Sequence, residues 1–253
     1  MESNDFMKKR FLELANKAYN HNIYTFTGFL GLSEMADFYE IEREVSFIKW
    51  EISGGHQDSE RVMIRFGSAE QFGYEEPFPI VCLKIRPLMQ KFADKLSHRD
   101  FLGALMNLGI ERDTLGDIVL KENQGYLLCT ETIAPYICEN LTRIKHTSVI
   151  CEITRELPIE TEEDAQEVKL QVSSIRIDGV MAKVYHFSRG ESVEYFRQKK
   201  VFVNGRLCEN NSYSLKENDV VTVRGYGKFV FDQNLGLSKK GKLNIAVKCY
   251  GKK

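Results

Sequence analysis

Residues 172–253 carry 16 Lys and Arg against 7 Asp and Glu, whereas residues 1–171 carry 19 against 29. One end of the chain suits a polyanion, and the other does so only through local patches. Within the basic end, Ser188-Arg189-Gly190-Glu191 has the spacing of a capping box. The serine hydroxyl would receive a backbone N–H of a new helix, and the glutamate would reach back. Such a helix start presents free N–H groups and a partial positive charge, which suits a phosphate. Arg189 would add a bidentate donor there. A smaller basic island lies at 84–112, where Lys84, Arg86, Lys91, Lys95, Arg99 and Arg112 outnumber Asp94, Asp100 and Glu111. It offers a second anion contact; the alternative for Arg99 and Arg112 is a structural ion pair or helix cap.

Other chemistries find little support. The histidines (His21, His56, His98, His146, His186) lack metal-ligand spacing, and no two of the six cysteines form a C-x-x-C pair. The cysteines' scatter through apolar segments fits reduced, buried thiols. Gly54-Gly55 falls between strands rather than before a helix, so it is no nucleotide loop. No nucleophile motif is present, and no cofactor is expected. No apolar run approaches the roughly 20 residues that span a bilayer. Met1–Asp5 is too acidic and polar for a secretory signal. The expectation is a cytoplasmic protein without membrane contact.

The elements that must position these residues follow from periodicity. Residues 5–20 read as an amphipathic helix, 24–32 as a loop, and Ser33 to about Glu42 as a second helix capped by Ser33. A strand at 46–53, a turn at 54–58 and a strand at 61–67 make a hairpin. Residues 79–86 read as a strand closed by Pro87. A helix at 97–108 follows, with Ser97 as cap, then strands at 117–121 and 125–130, a helix at 131–141 and a strand at 148–154. The strand–helix–strand–strand–helix–strand order over 79–154 is that of a ferredoxin-like sheet, a layout shared by RRM-like RNA-binding modules and many unrelated ones.

Residues 156–167 hold six acids and no base, which reads as a solvated linker. Beyond it, two short helices, the second starting at Ser188, precede strands at 201–203, 206–208, 220–224 and 229–231. Asn204-Gly205 makes a tight turn between the first two. The fold class expected is α+β: an N-terminal helical and hairpin region (1–78), a ferredoxin-like middle domain (79–155), an acidic linker (156–171) and a C-terminal module (172–253).

Arg176-Ile177-Asp178, Ser188-Arg189, Val203-Asn204-Gly205-Arg206 and Asn218-Asp219-Val220-Val221 together resemble the S-four (alpha-L) RNA-binding domain over roughly 172–225. The resemblance implies an RNA-contacting surface at Arg176, Ser188, Arg189, Arg197, Lys199, Lys200, Asn204, Gly205 and Arg206. Glu191 and Glu194 depart from a uniformly basic helix; capping accounts for Glu191 alone. A longer stretch, His98 to Arg112 followed by Leu115-Gly116-Asp117-Ile118, looks like the middle domain of bacterial YlmH-type RNA-binding proteins. Domain order and length are also similar over nearly the whole chain. That resemblance implies a non-catalytic protein of stalled-translation rescue, with ribosomal RNA and tRNA on the large ribosomal subunit as partners. Lys95, His98, Arg99 and Arg112 would be the second RNA contact. Two alternatives stay open: an RNA-modifying enzyme with its catalytic domain in residues 1–155, and a division-linked interaction protein. Oligomeric state is not legible.

Overall fold

The computed structural model describes residues 2–56, 59–155, 166–238 and 241–250. The fold is α+β, in two compact units, Met1–Ile159 and Glu160–Lys253.

In the first unit, α1 (Glu2–His21) packs its Phe11, Leu14, Ala15 and Ala18 stripe against α2 (Leu32–Ile41). The cap of α2 is Gly31, whose N–H donates to the Glu34 carboxylate at 2.6 Å, and not Ser33. The segment expected as a loop contributes β1 (Thr25–Phe26), which pairs antiparallel with β3 (Met63–Phe66); β3 in turn pairs with β2 (Trp50–Ser53). Residues 42–49 form a turn, a bend and an irregular step before Trp50, so the first strand of this hairpin starts later than alternation suggested. A one-turn α3 (Ala69–Phe72) follows.

The middle sheet consists of β4 (Ile80–Pro87), β5 (Leu115–Lys121), β6 (Gln124–Thr130), β7 (Arg143–Ile144) and β8 (Thr147–Thr154) in the order β5-β6-β4-β8-β7, all antiparallel. Between them lie α4 (His98–Asn107) and α5 (Ala134–Asn140). Apart from β7, this is the connectivity expected from the sequence. Leu83, Ile85, Leu127 and Cys129 face the helices with Phe101, Leu105 and Ile137. Gly125 allows that approach, because a Cβ there would lie 2.4 Å from the Phe101 ring.

The sheet's opposite face does not stand apart from the N-terminal region. Cys82, Tyr126 and Leu128 form one buried cluster with Phe29 and Met63. Arg61 donates to the carbonyls of Leu115 (2.9 Å), Phe29 (2.7 Å) and Arg112 (3.1 Å). The boundary expected near residue 78 is therefore crossed by both packing and hydrogen bonds.

In the second unit, α6 (Ile177–Val184) and α7 (Arg189–Arg197) pack on a six-stranded antiparallel sheet. Its strands are β9 (Gln166–Val172), β10 (Val201–Val203), β11 (Arg206–Leu207), β12 (Val220–Val223), β13 (Gly227–Leu237) and β14 (Leu243–Tyr250), in the order β11-β10-β12-β13-β14-β9. Three features correct the sequence reading. β13 runs well past Phe231, and β14 was not expected. Part of the supposed linker is β9, paired with β14 from Val172↔Leu243 to Gln166↔Cys249. Val168, Leu170 and Val172 turn to the core while Glu167, Lys169 and Gln171 face solvent. That outward charge disguised the period-2 pattern. The rest of the expected linker, 156–165, lies outside the described residues.

Candidate nucleic-acid interface

The first turns of α6 and α7 meet at a cleft of about 270 Å³, lined by Ser173, Ser174, Arg176, Asp178, Gly179, Arg189, Ser192 and Val193. Local chemistry builds it. Ile177, Val180 and Met181 bury one side of α6, which fixes its entry. Ser192 is buried and donates its hydroxyl to the Asp178 carbonyl at 2.9 Å, tying α7 to α6. Ser188 caps α7 as expected: its hydroxyl accepts from the Glu191 N–H (3.2 Å), and its own N–H donates to the Glu191 carboxylate (2.8 Å). The Ser188 N–H, and then the Ser188 hydroxyl, hold the Glu191 carboxyl below the usual carboxylate range.

Of the nine residues expected to face RNA, the structure brings Arg176 and Arg189 into this one cleft. They differ in freedom. Arg176 forks onto Asp178 through Nε (3.2 Å) and Nη2 (2.7 Å), leaving its guanidinium about half exposed. Arg189 is exposed, and among the described residues no carboxylate pairs with it. The carboxylate two residues beyond Arg176 was visible in the sequence as the signal for this pairing.

At the far end of α7, about 13 Å away by helical rise, stand Arg197, Lys199 and Lys200. Lys199 has φ 54° and closes the helix: its N–H donates to the Phe196 carbonyl and that of Lys200 to Tyr195. Arg197 and Lys199 make loose, exposed pairs with Glu194 (3.7 Å) and Glu209 (3.4 Å), of the kind that contribute little. Lys200 lies 5.9 Å from the Tyr195 ring centroid. Tyr195 belongs to an aromatic group with Phe187 and Tyr226 that sequence reasoning missed. Arg206, on β11, is exposed.

Asn204 and Gly205 have structural work. Both carry positive φ (51° and 76°), forming the turn between β10 and β11. The Asn204 amide donates to buried Asp219 (2.8 Å), and its carbonyl accepts from the Val220 N–H (2.9 Å). Its amide is thus engaged by the fold, although the residue itself stays exposed.

In the first unit, Lys95, His98 and Arg99 are exposed around the start of α4. Partial desolvation, then the nearby Arg112 cation, pushes the His98 imidazole below its ordinary value. Arg112 itself corrects the expectation of a contact residue. It is half-buried and donates to the Leu115 carbonyl at 2.8 Å and the Gly116 carbonyl at 3.5 Å.

Residues 74–156 match the family described as "Putative RNA-binding domain in YlmH". The ribosome-associated protein quality control protein P2 of Bacillus subtilis is 29% identical over 199 residues, covering 76% of this chain and 75% of that protein. A solved structure, the cell division protein ylmH from Streptococcus pneumoniae, is 20% identical with a TM-score of 0.48, covering 61% of this chain and 92% of that one. The segment 74–156 thus resembles the domain of YlmH-type proteins. The similarity to the Bacillus protein spans about three quarters of each chain.

Proposed function

We propose that this protein binds structured RNA without altering it, and that it does so on the large ribosomal subunit during quality control of stalled translation. The reading places it in the cytoplasm, with ribosomal RNA and tRNA as partners. The observation that carries it is the cleft where Arg176 and unpaired Arg189 stand over the start of α7, in a region with a net charge of +9. The S-four-like sequence pattern and the similarity to a protein named for ribosome-associated quality control support the same role.

The mechanism is phosphate capture. Arg189 and the first N–H groups of α7 hold one phosphate, and Arg197, Lys199 and Lys200 reach the backbone farther along. Such contacts position a module on RNA shape rather than read its sequence. Ser188, Asn204 and Gly205 serve by fixing the helix start and the turn that present these cations. In a filter-binding assay with ribosomal RNA, Arg189→Glu combined with Lys199→Glu should weaken binding at least tenfold while the melting temperature stays unchanged. Affinity of the wild type should fall steeply with salt as counterions are released. Unchanged affinity in the double variant would overturn the site. A modified nucleoside appearing in RNA incubated with the protein would overturn the non-catalytic role.

A further inference from the structure

The loop that joins β4 to α4 is pinned from both sides. The Asn123 amide accepts from the Leu96 N–H (2.8 Å) and donates to the Asp94 carbonyl (2.9 Å). Asp94 in turn takes the His146 N–H (3.2 Å) and the Thr147 hydroxyl (3.3 Å), while its own N–H donates to that hydroxyl oxygen at 2.8 Å. Gln90 adds a bond to the Glu122 carbonyl, and the Leu88 N–H one to Ser148. The backbone is therefore held by the β5–β6 and β7–β8 turns. Leu96 turns into the core, but three other apolar side chains of the loop face water: Leu88 is 62% exposed, Met89 64% and Phe92 74%. A rigid loop with three solvated apolar side chains is suited to contact with something outside the fold.

Charge selects the occupant. Lys91 and Lys95 lie on the loop, with Lys121 at the end of β5, Arg143 on β7 and Lys145 on the turn after it; the nearby acids are Asp94, Glu122 and Asp100, the last of which pairs with Lys145 at 2.8 Å. The Asp94 carboxylate is already engaged. Lys91 lies 5.8 Å from the Phe92 ring centroid. An aromatic ring set among cations matches the two faces of an unpaired nucleotide, a flat base and a phosphate. We infer that the exposed Phe92 and Met89, on this stapled and cation-flanked loop, take an unpaired RNA base. Phe92 stacks on the base, Met89 covers its edge, and Lys91 and Lys95 meet the flanking phosphates. The inference rests on the RNA-binding reading above and adds a second contact of different chemistry, one that responds to unpaired bases rather than to helix shape.

Two labelled RNAs test it on the full chain: a perfect duplex, and the same duplex carrying a three-nucleotide bulge. The wild type should prefer the bulged RNA. Phe92→Ala with Met89→Ala should lower affinity for the bulged RNA about tenfold, the usual scale of a lost stacking contact, and leave the duplex affinity unchanged. Phe92→Trp should retain the preference. Arg189→Glu should weaken both RNAs and preserve their ratio. Both loop side chains are exposed, so an unchanged melting temperature is the folding control. A bulge preference that survives the loop double variant overturns the inference while leaving the C-terminal site intact. A wild type that binds neither RNA overturns the RNA reading itself. A photo-crosslinker at position 92 that labels a ribosomal protein instead of RNA overturns it in favour of a protein contact.

Discussion

Three arginines of the first unit and two of the second put the same side chain to opposite uses. In the first unit, Arg61, Arg65 and Arg112 turn inward. Arg65 is 5% exposed, lies between the rings of Tyr24 and Phe78, and pairs with Glu51 at 2.6 Å. Arg61 and Arg112 gather carbonyls from three chain segments, and burial holds both below the ordinary arginine value. In the second unit, Arg189 and Arg197 stand exposed at the two ends of one helix. The lesson is that convergence of unsatisfied carbonyls, rather than residue type or local charge, decides whether an arginine holds the fold or offers itself to a ligand.

The comparison breaks most readily at Arg61. Arg61→Ala removes a donor from three carbonyls, of which Leu115 keeps Arg112, and should destabilise the first unit by about 3 kcal/mol, read as a lower urea midpoint. RNA affinity per folded molecule should not change. A stable Arg61→Ala protein with weakened RNA binding would invert the assignment. A smaller effect sharpens the other side. Lys199 occupies a left-handed position that suits glycine, so Lys199→Gly should stabilise the fold by about 1 kcal/mol. The same change should make the salt dependence of RNA binding shallower by about one phosphate contact. Opposite signs on stability and affinity would separate the lysine's two roles. Smallest is an acid effect confined to the first unit. Lys145, and then Ser97, hold the Asp100 carboxyl down to about 2 from 3.8. A lowered folded-state value means that its stabilisation is complete above pH 3.8 and is lost as pH falls toward 2. Asp100→Ala should therefore lower the melting temperature at neutral pH, and the gap to the wild type should close across that window.

Much of this was legible because the signals were local. The Ser188–Glu191 box, the Asn204-Gly205 turn and the helix beginning after Ser97 each lie within a few residues, where chain chemistry dictates conformation. The succession of strands and helices in the middle domain, apart from β7, followed from periodicity. What escaped depended on distant partners. Arg112 looked like a surface cation because the sequence does not show that Phe29, Arg61 and Leu115 assemble around it. β9 looked like a linker because its outward face is charged and its partner strand lies more than 70 residues later. Leu88, Met89 and Phe92 gave no sequence signal, since apolar residues beside a strand are ordinarily taken as core. Of the cleft, the cations and the carboxylate two residues past Arg176 were visible, whereas the contribution of Ser173 and Ser174 needed the fold.

β9 also makes the start of the second unit the neighbour of its end. The strand adds to the sheet edge through β14, the last strand described. A fragment cut to begin at Val172, where the S-four-like pattern starts, would strip away that border strand. The β14 backbone would be left as an open row of donors and acceptors, ready to recruit the same row from another copy. A fragment starting at Glu160 keeps the border closed, so the two should part company in how readily they self-associate.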